Sequence, residues 1–371
     1  MKSKIVSFFL LIFTFFLLVF TILAVFMIYS NYTVEDMTEF VQNFISVAPA
    51  QETTQNDYLE DVVLETSTTT ATLAEEKVGY TEQVSNGKFY YEQLNNNQKI
   101  LYNGFQKNKE NMISGTYVIE YGNIFSDTLK KENGTKILQE DYQTAVEAYT
   151  HDNADLFYLD ITKLYLNIET IKKVWNTTYN VYVGPKSEQT YYSDEFEKES
   201  EVREIYNQIE NVRDQIMQKM GSDNFRNIKT IHDYLIQNIE YDNDYNSKGT
   251  YTIYGALIGK KCVCDGYARA FKYLANCAGM ECEIIQGTAT NSTGKTENHA
   301  WNAIKLEDKW YYVDTTWDDP IILGAGIVPE SYYYKYFLKG TSAFSNDHLT
   351  DGEFSDGGKE FSYPIVSTYD Y

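Results

Sequence analysis

Residues 5–29 are apolar except for Ser7, Thr14 and Thr21. As a helix rising 1.5 Å per residue this run is roughly 37 Å long, enough to cross a bilayer with some tilt. Lys2 and Lys4 precede it and no Lys or Arg recurs until Lys77. That asymmetry places the amino terminus in the cytoplasm and the rest of the chain outside. The run exceeds the about 7–15 apolar residues of a signal peptide, and no small-x-small site follows it closely. Residues 1–30 are therefore read as an uncleaved transmembrane anchor. Within residues 31–77, Val34, Met37, Phe40, Val41, Phe44 and Ile45 share a helical face, either an interfacial helix or a continuation of the anchor. The Thr-, Glu- and Gln-rich stretch 51–77 reads as a flexible acidic tether.

Two regions follow. In 78–220, Tyr91, Leu94, Ile100 or Leu101 and Phe105 stand near helical spacing, 177–184 (TTYNVYVG) is strand-like, and Val202, Ile205, Ile209, Val212 and Ile216 recur every three or four residues. This is a mixed α/β accessory region without a chemical motif. In 221–371, Ser222 or Asp223 can cap a helix whose stripe is Phe225, Ile228, Ile231, Leu235 and Ile239. A second amphipathic helix follows Cys264, with Tyr267, Ala270, Phe271, Leu274 and Cys277 on one face and Gly279 just past its end. Strand patterns then run over 280–290, 299–306 and 309–317, the last two joined by the two-residue turn Glu307-Asp308. The expected fold class is α+β: a helix packed on an antiparallel sheet.

Composition narrows the partners. The formal charge of -22 over 371 residues excludes nucleic acid and anionic lipid as principal partners, since both need clustered Lys and Arg. Hydrophobic content of 43% with 16% aromatic residues suffices for a substantial core. The cysteines follow C-x-C-x12-C-x4-C, which is not a zinc-ligand spacing. The stretch 242–247 begins like a calcium loop, but Ser247 and Ile253 occupy its Gly and Glu positions. No metal and no cofactor are expected. A disulfide among Cys262, Cys277 and Cys282 is compatible with an extracellular setting.

The chemistry gathers in 262–319. Cys264 stands at a helix start, where the dipole and the open N–H groups favour an anion and can hold an oxyanion. Gly266 lets backbone approach closely. Extending the hairpin register from 306–309 sets His299 opposite Thr316, with Asp314 its diagonal neighbour on the same face. A carboxylate there can orient an imidazole toward a thiol. Cys262 is the rival nucleophile, Asp318 and Asp319 the rival carboxylates. Cys277 and Cys282 read as small buried hydrophobes. His232 is placed off its helix's buried stripe, and His348, in SNDHLTDG, in a polar loop. Tyr254 is an oxyanion-donor candidate that also suits core packing. Trp301 and Trp317 are candidates for a substrate groove, although at least two of Trp301, Trp310 and Trp317 are expected to be core.

GKKCVCDGYARAFKYL, HAWNAIK and WYYVDTTWDDP resemble the three blocks of the transglutaminase-like superfamily in its bacterial branch, and IHDYLIQNIEYD (231–242) resembles the helix before them. The resemblance covers roughly 222–340. It implies a papain-like fold with Cys264 as nucleophile, His299 as base and Asp314 as carboxylate. It further implies acyl transfer or hydrolysis on protein or peptide substrates at the cell surface, cell-wall peptides included. Residues 87–165 resemble more loosely a segment preceding this domain in Gram-positive surface proteins. The competing class is a binding or assembly module that keeps the fold without turnover. Thiol reactivity separates the two.

Overall fold

The computed structural model describes residues 80, 88–172, 177–319, 329–350 and 361–371. The anchor and linker expected over 1–77 lie outside the described residues. Among the described residues no helix is long and apolar enough to cross a membrane. By its contacts the chain divides between Glu60 and Asp61, and every described residue belongs to the unit Asp61–Tyr371.

Asn95 opens helix α1 (Asn96–Lys107) with a capping box: its side chain accepts from the Gln98 N–H, and the Gln98 side chain accepts from the Asn95 N–H. The cap starts the helix after Leu94, so Tyr91 and Leu94 pack from a separate short turn. Helix α2 (Gly134–Asp152) packs along α1. Strands β1 (Ile119–Gly122), β2 (Tyr165–Lys172) and β3 (Thr177–Gly184) form an antiparallel sheet with β3 in the middle. Helix α3 (Glu199–Met217) buries Val202, Ile205, Ile209 and Ile216 of the stripe its spacing predicts and leaves Val212 half-buried against the same core.

Asp223 caps α4 (Asn224–Asn238) by accepting from the Arg226 N–H. Ile228, Ile231 and Leu235 are buried, whereas Phe225 is left exposed. His232, expected off the buried stripe, is fully buried. Tyr334 stacks on its ring and Phe337 meets it edge-on, both from a later segment of the chain, so this helix is covered on a second side. The chain leaves α4 as β4 (Glu240–Tyr241), which pairs in parallel with β5 (Lys261–Cys262). Helix α5 (Cys264–Cys277) then lies across the main antiparallel sheet. That sheet comprises β6 (Cys282–Thr290), β7 (Thr296–Leu306), β8 (Lys309–Val313) and β9 (His348–Thr350), in the order β8-β7-β6-β9. Glu307 and Asp308 both take positive φ, 50° and 62°, as a tight two-residue hairpin turn requires.

One core runs through both regions, from Tyr90, Leu101 and Tyr149 to Phe271, Leu274 and Ile304. The Asp152 carboxylate, at the end of α2, accepts from the Tyr90 and Tyr91 N–H groups and the Tyr102 hydroxyl. The Tyr90 hydroxyl donates in turn to the Ile284 carbonyl on β6, 3.1 Å away. Beside it, Lys272 of α5 hydrogen-bonds Glu283 of β6. They are only 1% and 7% exposed. Burial pushes Glu283 up to about 7 against the pull of Lys272. A buried charge without its partner is costly, so Lys272→Met should destabilise the protein by about 3–5 kcal/mol. Adding Glu283→Gln should recover part of that loss, and denaturant titration of the single and double variants checks both.

Candidate functional site

Three local contacts put Cys264 at the start of α5. The Asp242 N–H donates to the Cys262 carbonyl and the Val263 N–H to the Thr250 carbonyl, each at 3.0 Å. A Cβ on Gly266 would lie 2.7 Å from the Cys262 sulfur and 3.0 Å from the Thr250 oxygen, so only glycine lets these segments meet. Val263 caps the helix without a side-chain hydrogen bond, which leaves first-turn N–H groups available to a developing anion. Cys264 is half-buried and packs against Ala268, Ile284 and Ala300.

The other thiols are placed differently. Cys262 is fully buried, and burial pushes its thiol well up, which disfavours a thiolate. Cys282 is buried in β6 as expected. Cys277, expected on the buried face, is exposed: it is the last residue of α5, where the apolar stripe runs out. All four cysteines are free thiols, so no disulfide joins Cys262, Cys277 or Cys282.

His299 lies on β7, opposite Gly287 of β6. The β7–β8 register begins at Leu306↔Lys309 as the turn predicts, but pairing stops at Asn302↔Val313. Asp314 therefore reaches His299 from just beyond the strand rather than as a cross-strand neighbour. Its Oδ1 accepts from the Thr316 and Trp317 N–H groups, at 2.9 and 3.1 Å. This local turn aims Oδ2 at His299 Nε2, 2.7 Å away. The thiol of Cys264 lies near enough to the same imidazole to favour its charged form. Since Nε2 is taken by Asp314, Nδ1 is the nitrogen left for sulfur. The rival carboxylates have other partners. Asp318 Oδ2 is 3.0 Å from His232 Nε2, and Asp319 accepts from the Tyr267 hydroxyl at 2.6 Å.

Charges follow from these contacts. Burial pulls His299 down, but the Asp314 carboxylate and then the Cys264 thiol outweigh it and raise the imidazole to about 10. Burial pushes Asp314 up, yet His299 and His348 hold it well below the usual carboxylate range.

The aromatic candidates divide. Trp317 is half-buried, its ring centroid 5.5 Å from that of His299. Trp301 is buried, 5.9 Å from His299, and its Nε1 has no hydrogen-bond partner among the described residues. It belongs to a second core cluster with Tyr312 and Phe344, against which Trp310 and Trp317 pack. Tyr254 packs its ring on Phe157 and Phe196, beneath Lys248.

His348, expected in a polar loop, is a buried residue of β9, its Nε2 3.1 Å from Asp314 Oδ2. A three-residue strand without apolar alternation leaves no periodic signal in sequence, and only pairing with β6 brings it to the site. His299, Asp314 and His348 are the one group among the described residues whose donor atoms lie close enough to share an ion, within 4.8 Å of one another. Both nitrogens already hydrogen-bond the carboxylate, so an ion would have to displace both contacts.

Residues 210–315 match the family model of the transglutaminase-like superfamily. The mouse (Mus musculus) kyphoscoliosis peptidase is 29% identical over 156 residues, 37% of this chain and 22% of that protein. The human (Homo sapiens) protein of the same name is 29% identical over 144 residues, 34% of this chain and 21% of that one. The chain thus spans about a fifth of the length of these curated relatives. Among solved structures, a TGase crystal structure aligns at 14% identity and a TM-score of 0.30, over 56% of this chain and 58% of that one. A cysteine protease of Cytophaga hutchinsonii, described as putative, aligns at 11% identity and a TM-score of 0.26, over 44% of this chain and 69% of that one. With its Cys-opened helix on an antiparallel sheet and its family match over 210–315, the chain carries a domain of the transglutaminase-like superfamily.

Proposed function

We propose that Cys264, His299 and Asp314 form the catalytic triad of a membrane-anchored, extracytoplasmic acyltransferase or peptidase. The observation that carries this reading is one imidazole held on Nε2 by a buried carboxylate, with the thiol of a helix-opening cysteine near enough to favour its charged form. The Cys264 sulfur, its proton passed to His299 Nδ1, attacks a peptide or glutamine carboxamide carbonyl. First-turn N–H groups of α5 hold the oxyanion. The C–N bond then breaks, and the leaving amine takes the proton from His299. The resulting thioester is opened by an amine, which forms a crosslink, or by water, which gives hydrolysis or deamidation. Similarity to two proteins named peptidases favours peptide or protein substrates. The apolar run 5–29, with its flanking lysines, favours an anchor that faces the rest of the chain outward, where wall peptides and surface proteins lie.

The full chain, incubated with a Gln- and Lys-containing protein and a labelled primary amine, should yield a product that mass spectrometry identifies. Amine incorporation means transglutamination, backbone cleavage means a peptidase, and a +1 Da shift at Gln means a deamidase. Absence of all three, with Cys264 alkylating no faster than Cys277, would favour a binding module instead.

A further inference from the structure

The proposed triad leaves His348 without a task, although its ring touches Asp314. β9 reaches the site because β6 carries Gly287 opposite Thr350. A Cβ there would fall 2.1 Å from the Leu349 carbonyl oxygen and 2.8 Å from the Trp301 ring. Ala289 then pairs with His348, whose side chain is fully buried. Its Nε2 contacts Asp314 Oδ2, the oxygen that His299 Nε2 also contacts, while its Nδ1 lies 2.8 Å from Asp347 Oδ1. Ionised carboxylates only accept hydrogen bonds. A ring between two of them satisfies both only when both nitrogens donate. Aromatic rings wall the side chain in: the centroids of Phe344, Trp317, Tyr336 and Trp301 lie 4.1, 4.6, 5.1 and 5.2 Å from that of His348.

We propose that His348 is a positioning residue of the Cys264 site: clamped between Asp347 and Asp314, it shares the Asp314 carboxylate with His299 and limits how tightly His299 holds its proton. This rests on the proposed function, in which His299 serves Cys264. The ring centroids of the two histidines are 5.6 Å apart, so a charge on one opposes a charge on the other. A general acid that must protonate a leaving amine works best when it does not hold its proton too strongly. The groups facing His348 are Asp314, His299 and Asp347. The Tyr336 hydroxyl donates to Asp347 Oδ2, and Lys335 donates to Tyr336 at the surface. The paired stretch of β6 (Gly287–Ala289) and the Thr341–Phe344 turn present no titratable group.

A bracing role alone predicts the opposite sign. If His348 merely held Asp314 in place, removing it would loosen the carboxylate and weaken the His299 proton. The test is the pH dependence of Cys264 alkylation by iodoacetate in the full chain, read by peptide mapping. That anionic reagent reacts faster while His299 is protonated, so the upper limb of the profile reports loss of the His299 proton. Asp347→Asn removes one of the carboxylates that require the doubly protonated ring, and His348→Gln keeps a donor toward Asp314 without the charge. Both variants should move the upper limb up by roughly one pH unit. An unmoved or lowered limb overturns the proposal. Should His348→Gln fail to fold, the partly exposed Asp347→Asn decides alone. A wild-type Cys264 that reacts no faster than Cys277 overturns the proposed function and this inference with it, whereas a fast wild type with unshifted variants overturns only the role of His348.

Discussion

Replacing Cys264 with alanine should cut turnover by about 10^4-fold or more while leaving the fold intact. The side chain is half-buried and packs on the small cluster of Ala268, Ile284 and Ala300, so the stability change should stay within about 1 kcal/mol. No other thiol can take over. Cys262 is sealed beneath Gly266 and its thiol is pushed up by burial, Cys282 is buried in β6, and Cys277 lies at the far end of α5. Kinetics and thermal melts on the same preparations check both halves of the expectation. Adding His299→Ala to Cys264→Ala should cost little more, because groups that act as one unit lose their effect together. Iodoacetamide mapping of the wild type gives a second reading: Cys264 should label ahead of exposed Cys277. Equal labelling, or turnover that survives in Cys264→Ala, would remove Cys264 from the mechanism.

Asp314→Asn should lower kcat by roughly 10^4-fold with little change in KM. The carboxylate touches His299 rather than substrate, so it bears on the reacting state and not on binding. It fixes which imidazole nitrogen faces sulfur and stabilises the imidazolium that forms. An amide at the same place keeps the volume and a backbone-facing oxygen but not the charge, so His299 should fall from about 10. Stability carries the same signature. A histidine raised in the folded state stabilises fully below its ordinary value near 6.5 and loses that contribution as the pH climbs through about 10. Wild-type melting temperature should therefore decline between pH 7 and 10 more steeply than that of Asp314→Asn. Parallel pH–stability curves would mean that the His299–Asp314 contact contributes nothing to folding.

Local sequence was enough for what depends on neighbours. The three- and four-residue spacing of Val202, Ile205, Ile209, Val212 and Ile216 specified α3, Asp223 capped α4, and Glu307-Asp308 set the hairpin register from its turn. The helix opened by Cys264 and the close approach at Gly266 were legible for the same reason, since caps and backbone clearance act over a few residues. So was the order Cys264, His299, Asp314, whose last two members lie 15 residues apart across one short hairpin.

Tertiary structure decided what depends on distant segments. The register extrapolated to Thr316 failed because the strand ends at Val313 and Asp314 turns back on its own backbone. The segment between β8 and β9 closes over His232, and β9 carries His348 to an aspartate 34 residues earlier. Neither histidine stands in an apolar pattern that periodicity detects, because a side chain is buried by whatever lands on it as well as by its own face. The first region, which carries no motif, shares a core with the second through Tyr90, Asp152 and the Lys272–Glu283 pair. Periodicity and capping determined the elements that carry Cys264, His299 and the hairpin before Asp314. Which carboxylate meets which imidazole was left to long-range packing, since hydrogen-bond partners are chosen by proximity in space and the sequence encodes that proximity only through the whole fold.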